Sequence, residues 1–313
     1  MKAGDLPTGG RLAAAASRSD SRGLAEPVPG PFSALAELTK IRIAALSTLS
    51  AATGYFVSRR AADPGILTSC LGVLLLAMGA CALNEFQDRE LDRRMARTRH
   101  RPIPAGAMEP GTALAVALLL AAAGLGLLWG LHGPGAALLG LIAAAWYNGV
   151  YTYLKRVWAF AVVPGALIGA LPPVIGWTAA GGDPLDPRVL ALAFFFFIWQ
   201  VPHFWLLLFR HGGEYEAAGL PSLTGLFSRR QLAGLTFIWM LATPASSLLL
   251  PLYGLVPSPW TGIGLAACGA WLAWQAAGLL RGTARDEAFP RVFRSINLYA
   301  LLVMAILFAD ALL

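Results

Sequence analysis

Charge is what this chain has least of. Asp, Glu, Lys and Arg together make up 13% of its 313 residues, against roughly a quarter in an ordinary soluble domain. Histidine occurs four times and cysteine three times. Cys70, Cys81 and Cys268 lie within apolar runs at no metal-ligand spacing, which argues against a metal site and leaves small apolar packing residues. No apolar leader with a cleavage site opens the chain, so no secretory signal is expected. Residues 1–30, rich in Ala, Ser, Arg, Gly and Pro, read as a disordered tail, and Asp5, Asp20 and Glu26 argue against an organelle transit peptide. Residues 31–313 read as one intramembrane domain.

What fills the chain is apolar: 57% hydrophobic residues and a mean hydropathy of +0.62. That composition excludes a soluble domain and predicts a polytopic membrane protein. Runs long enough for a ~30 Å hydrocarbon core fall at 36–57, 65–87, 112–131, 135–153, 159–179, 189–209, 231–252, 259–280 and 293–312. The expected fold is all-α, a bundle of nine transmembrane helices. His132-Gly133-Pro134-Gly135 makes a tight hairpin of the third and fourth, and Leu171-Pro172-Pro173 is expected to break the fifth. Asp310 ends the last span, too near the terminus for deep burial.

The few cations fix an orientation. With the N-terminus inside, only Arg59, Arg60 and Arg188 of the 24 Lys and Arg face outward, a strong positive-inside bias. The net charge of +7 is therefore a topology signal, and no nucleic-acid partner is expected.

The sharpest motif closes the second span, where Asn84-Glu85-Phe86-Gln87-Asp88-Arg89-Glu90-Leu91-Asp92 follows a charge-free run. In a continuing helix Asn84, Asp88 and Asp92 form one column, a turn apart. Such oxygens suit Mg²⁺, which is commonly shared between carboxylates and substrate phosphates. The plainer reading is a solvated helix end, but carboxylates beside lipid are costly unless paired or functional. Arg89, Arg93, Arg97 and Arg101 repeat every four residues and predict a basic stripe beside the column. One or two of them could hold a polyphosphate through forked hydrogen bonds; the rest mark the inner face.

Arg210-His211-Gly212-Gly213-Glu214-Tyr215-Glu216 repeats the acidic theme four spans later, on the same side. Two such patches suggest a duplicated bundle around a central cavity, bracketing a diphosphate. Within the sixth span Trp199-Gln200-Val201-Pro202-His203-Phe204-Trp205 places a proline, and His203 and Gln200 must find partners in the bundle. That segment is either a satisfied structural kink or an aromatic pocket with a histidine aimed into it. Tyr151-Thr152-Tyr153-Leu154-Lys155-Arg156 ends the fourth span, with Lys155 placed to neutralise a phosphate.

These motifs together resemble the UbiA superfamily of intramembrane prenyltransferases, over about residues 40–310. The N-x-x-x-D-x-x-x-D run followed by Arg97-Thr98 and Arg101-Pro102-Ile103-Pro104-Ala105-Gly106 is shared by several branches. Trp199-Gln200 with Pro202-His203-Phe204-Trp205 resembles the branch that prenylates haem. The sequence departs from that branch at Val157-Trp158-Ala159-Phe160-Ala161, where a Thr-Pro-x-Asn run is usual, and at Glu214, where Asp is usual.

The resemblance implies a cavity open to the inner face and to lipid, in which farnesyl diphosphate and haem B meet to give haem O by farnesyl transfer and hydration. It implies Mg²⁺ on Asn84, Asp88, Asp92 and Glu214. Catalysis would involve Asn84, Asp88, Asp92 and Lys155, and substrate contacts Arg42, Arg97, Arg101, Tyr151, Trp199, His203 and Tyr215. It also implies a bacterial inner membrane location, N-terminus cytoplasmic and C-terminus outside, with a haem A synthase or oxidase assembly factors as further partners. Two alternatives stay open: a prenyltransferase of the same superfamily acting on a quinone precursor or chlorin, and a non-enzymatic transporter or assembly factor.

Overall fold

The computed structural model describes residues 30–61, 63–281 and 288–312. The tail expected over 1–30 lies outside the described residues except for Gly30. In chain order the helices are α1 (Pro31–Leu38), α2 (Ile41–Arg59), α3 (Gly65–Arg93), α4 (Pro110–His132), α5 (Pro134–Ala145), a π-helical turn (Trp146–Tyr151), α6 (Thr152–Leu154), α7 (Val162–Gly165), α8 (Leu167–Ala179), α9 (Pro187–Ala217), α10 (Leu223–Leu226), α11 (Arg229–Ser247), α12 (Leu249–Leu252), α13 (Pro259–Ala276), α14 (Gly278–Arg281) and α15 (Ala288–Leu312). No strand occurs among the described residues.

Among the described residues, seven helical segments are long and apolar enough to cross a membrane: Gly65–Arg93, Pro110–His132, Val162–Ala179, Pro187–Ala217, Arg229–Leu252, Pro259–Leu280 and Phe289–Leu312. The other two expected spans are helical but fall short of that measure. α2 carries Arg42 and several hydroxyls through its length, and α5 passes into the π turn after 12 residues.

Small residues let the helices approach backbone to backbone, the usual means of tight packing where lipid supplies no hydrophobic drive. A Cβ on Gly79 would lie 2.6 Å from the Ala121 nitrogen, and one on Gly124 would lie 2.5 Å from the Leu76 nitrogen, so α3 and α4 touch along a glycine seam. α2 and α8 cross in the same way: a Cβ on Gly54 would sit 1.9 Å from the Pro173 carbonyl oxygen, and one on Gly176 would sit 1.8 Å from that of Ala51. The largest core joins Phe195 of α9, Met240 of α11, Leu265 of α13 and Tyr299 of α15.

Two expectations are corrected here. Pro172 and Pro173 do not break their helix but lie inside α8, where packing against α2 supports a backbone that lacks two N–H donors. The joint falls earlier, where the Ala166 N–H is shared between Val162 O at 2.8 Å and Val163 O at 3.1 Å. Asp310 is deeply buried, at 4% exposure. Arg60 donates to its Oδ2 at 2.6 Å and Thr261 to its Oδ1 at 2.8 Å. Arg60, the residue that caps α2, and Thr261 of α13 thus satisfy a charge on α15 that would be costly alone.

Candidate active site

The acidic column forms as its spacing requires. Asn84, Asp88 and Asp92 lie on α3 and are 4%, 3% and 4% exposed. Asn84 Nδ2 donates to Asp88 Oδ2 at 3.0 Å and to Thr152 Oγ1 at 2.9 Å. Asp88 is gripped from both sides: Lys155 donates to Oδ2, and Arg156 Nη2 donates to Oδ1 at 2.9 Å. Asp92 Oδ2 accepts from Arg101 Nη1 at 2.7 Å. Burial works against the Arg101 charge, but the Asp92 carboxylate outweighs it and holds the guanidinium above its ordinary pKa.

The π turn brings the second wall to this column. Asn148, buried within it, donates to Ala80 O at 3.0 Å and to Gln87 Oε1 at 3.3 Å, fastening the turn to α3. Tyr147 and Tyr151 stack at 6.1 Å. Lys155 lies 5.9 Å over the Tyr151 ring, and the ring packs on the backbone of α7 at Gly165. A π turn is rare and often marks a functional site; here it presents Tyr151, Thr152 and Lys155 to one side of α3.

The loop after α3 does not continue the helix, which corrects the expected stripe of arginines. α3 ends at Arg93, and the following residues make successive turns held by buried Met95 and Ile103. Arg89 lies over the Phe86 ring and Arg93 pairs with exposed Glu90. Only Arg97 and Arg101 reach site residues. The Arg97 backbone N–H donates to Glu214 Oε2 at 3.1 Å, and its Nη2 donates to the Tyr215 hydroxyl at 3.2 Å. The loop and the end of α9 therefore meet on one face, as the two acidic motifs predict. Glu214 also faces His211 at 3.4 Å, whereas Glu216 accepts from Thr224 at 2.6 Å. Arg42 is exposed on α2 and is not brought to the column.

Trp199 and His203 lie a turn apart on α9, with ring centroids 5.0 Å apart, and Trp199 Nε1 donates to Ile296 O of α15 at 2.9 Å. The expected partners for Gln200 and His203 are incomplete. Gln200 Oε1 and His203 Nδ1 are buried without a hydrogen bond, a state that costs about 1–3 kcal/mol per group.

Sequence reasoning passed over four residues here. Arg156 shares Asp88 with Lys155, and Thr152 accepts from Asn84. Lys40 donates to Asn84 Oδ1 at 3.3 Å from a left-handed backbone (φ 47°, ψ 49°). That conformation costs a non-glycine residue on the order of 1–3 kcal/mol. Glu85 is fully buried, with both carboxylate oxygens unpartnered. A left-handed lysine leaves no sequence signature, and that both adjacent cations, Lys155 and Arg156, reach Asp88 follows from the path of the chain through the π turn.

Among the described residues no three His, Cys, Asp or Glu side chains converge as a ready-made metal cage. The donor set still fits Mg²⁺, which is commonly held by one or two carboxylates with the remainder of its shell from substrate phosphates and water.

A helical membrane bundle with this two-sided acidic and basic rim has the make-up of an intramembrane prenyltransferase. The chain belongs to the UbiA prenyltransferase family, whose model matches residues 45–299. It is 46% identical over 227 residues to a protoheme IX farnesyltransferase of Geobacter sulfurreducens, covering 71% of this chain and 83% of that protein. It is 36% identical to a protoheme IX farnesyltransferase of Oleidesulfovibrio alaskensis, over 89% of this chain and 96% of that protein. The fold matches a solved UbiA homologue of Archaeoglobus fulgidus bound to GPP and Mg²⁺ with a TM-score of 0.67 at 14% identity, over 90% of this chain and all of that one. A solved digeranylgeranylglyceryl phosphate synthase matches with a TM-score of 0.73 at 17% identity, over 90% of this chain and 98% of that one.

Proposed function

We propose that the chain transfers the farnesyl group of farnesyl diphosphate to a vinyl group of haem B, with addition of water, to give haem O. The observation that carries the reading is the likeness to the Oleidesulfovibrio alaskensis protoheme IX farnesyltransferase, which spans nearly the whole of both proteins. The side chains of the site suit that reaction.

Lys155, Arg156, Arg101 and Arg97 would hold the diphosphate oxygens through charge-assisted hydrogen bonds, with Tyr151 beneath Lys155 as wall and donor. Asn84, Asp88 and Asp92, with Glu214, would hold Mg²⁺, which when bound neutralises charge on the leaving group. Breaking the farnesyl C1–O bond leaves an allylic cation, and the cations of the rim stabilise the charge gathering on the departing oxygens. The apolar interior keeps water from that cation until the vinyl carbon has attacked it. His203, beside Trp199, would meet the porphyrin.

The same reading makes the protein a multi-pass protein of the bacterial inner membrane, with the basic face cytoplasmic. The test is incubation of purified protein with farnesyl diphosphate, Mg²⁺ and haem B, followed by mass spectrometry. A porphyrin gaining farnesyl and hydroxyl is the expected product. Unchanged haem alongside a prenylated quinone precursor or chlorin would replace this acceptor with another.

A further inference from the structure

Thr152 closes the π turn and touches the acidic column with the same hydroxyl. Its backbone N–H and its side chain both donate to Tyr147 O, the hydroxyl at 2.9 Å. A regular α-helix would send that N–H to Asn148 O instead; here Asn148 O accepts from Gln87 Nε2 of α3 at 3.1 Å. The single hydrogen of the Thr152 hydroxyl is thus committed to Tyr147 O, and only its lone pairs are left for α3. Asn84 Nδ2 donates to them at 2.9 Å. Thr152 is fully buried and Asn84 is 4% exposed, so bulk water does not compete for this bond.

Three neighbours leave the Asn84 carboxamide one orientation. Asp88 Oδ2 accepts from Nδ2 at 3.0 Å, Thr152 accepts from the same nitrogen, and Lys40 Nζ donates to Oδ1 at 3.3 Å. A carboxylate paired with cations only accepts, as does a hydroxyl whose hydrogen is committed, and an ammonium only donates. Turned end for end, the carboxamide would set oxygen against oxygen twice and N–H against ammonium once. Asp88 and Lys40 are charged, so their pairing changes with the ions that the site takes up. Thr152 is neutral and fastened to the π turn, which makes it the fixed guide of the three.

We propose that Thr152 is a positioning residue for Asn84: its committed hydroxyl keeps Nδ2 turned to the π turn and Oδ1 turned to the side where Lys40 lies and a divalent cation is ligated. The inference rests on the reading of Asn84 as a Mg²⁺ ligand. An asparagine ligates a hard cation through its carbonyl oxygen, and a carboxamide that turns over presents N–H groups to the metal instead. Outer hydrogen bonds that hold a ligand's orientation are worth about 10–100-fold in metal affinity.

The test measures binding of inorganic diphosphate to the full-length protein in detergent by calorimetry, in excess Mg²⁺ and again in EDTA. Thr152→Val, which keeps the shape and removes the hydroxyl, is expected to weaken binding in Mg²⁺ by about tenfold or more and to leave the weaker binding in EDTA unchanged. Thr152→Ser restores the hydroxyl and is expected to bind as the unmodified chain does in both conditions. Asn84→Ala should lose at least as much in Mg²⁺ as Thr152→Val. Thr152→Ala takes the place of the valine variant if the added methyl prevents folding. Undiminished binding of Thr152→Val in Mg²⁺ would overturn the positioning role. So would an equal loss with and without the metal, or a serine variant no better than the valine one. Normal binding by Asn84→Ala in Mg²⁺ would remove Asn84 from the metal, and Thr152 with it. An unmodified chain that gains nothing from Mg²⁺ would sink the metal reading itself.

Discussion

Arg101 donates to Asp92 at 2.7 Å, so a cation suited to a phosphate lies on a carboxylate suited to a metal. Asp88 repeats the arrangement with Lys155 and Arg156. Neither a lone metal ion nor a lone diphosphate can enter without leaving half of a buried pair uncompensated, which is costly. A diphosphate carrying its metal brings both signs at once and exchanges partners with no net loss of pairing. Mg²⁺ alone and inorganic diphosphate alone are therefore expected to bind weakly. Each should raise the affinity for the other by the same factor, at least about tenfold in this linkage. Calorimetry of each ligand with and without the other measures the coupling, and independent binding would refute it.

Asp88 and Asp92 should differ on mutation although both belong to the column. Asp92→Asn frees one cation, Arg101, and is expected to abolish turnover with a smaller loss of thermal stability than a change at Asp88, which holds two. Asp88→Asn leaves Lys155 and Arg156 facing each other without the carboxylate between them. It should abolish turnover and also cost about 1–3 kcal/mol in stability, as loss of a buried charged hydrogen-bond partner does. Activity assays and thermal unfolding in one detergent separate the two effects. Turnover near that of the unmodified chain in either mutant would remove the column from the mechanism.

At the opposite end of the bundle, Arg60 and Thr261 close on Asp310. Asp310→Asn keeps the shape but weakens the charge-assisted bond from Arg60, and should lower stability by about 1 kcal/mol or more. Because the clasp lies far from the carboxylate column along α2 and α15, affinity for farnesyl diphosphate should stay as it was. A changed substrate affinity with unchanged melting would mean that this end communicates with the site.

Much of this architecture was legible in the sequence because it depends on period and composition. The Asn84, Asp88 and Asp92 column follows from a four-residue spacing in an uninterrupted helix, and the meeting of the 97–101 loop with Glu214 and Tyr215 follows from counting spans between two motifs. The same counting failed where the chain leaves regular geometry. The spacing of Arg89, Arg93, Arg97 and Arg101 carries no helical meaning once α3 stops at Arg93. Pro172 and Pro173 read as a break because the sequence does not reveal that α2 will press against their backbone. Lys40, Arg156 and Thr152 reach the column only through a left-handed joint and a π turn, and neither has a compositional signal. Asp310 was misjudged because its partner, Arg60, lies 250 residues away.

The proposed placement of both acidic motifs on the cytoplasmic side can be tested by labelling, and the packing dictates where the probes go. Gly212 is a poor site for an introduced cysteine, since a Cβ there would lie 2.5 Å from Thr224 Oγ1, and Gly182 is no better at 2.2 Å from Trp177 Nε1. Gly213 is exposed with open space around it, and Leu185, in the short loop before α9, is 74% exposed. In a background with Cys70, Cys81 and Cys268 replaced, Gly213→Cys should react with a membrane-impermeant maleimide only when the cytoplasmic face is open, and Leu185→Cys in intact cells. The positive-inside bias makes this the expected sense, because Arg97, Arg101, Lys155 and Arg156 share the face of Gly213, while Arg188 lies beside Leu185. Labelling in the opposite sense would invert the bundle and put the carboxylate column out of reach of a cytoplasmic diphosphate.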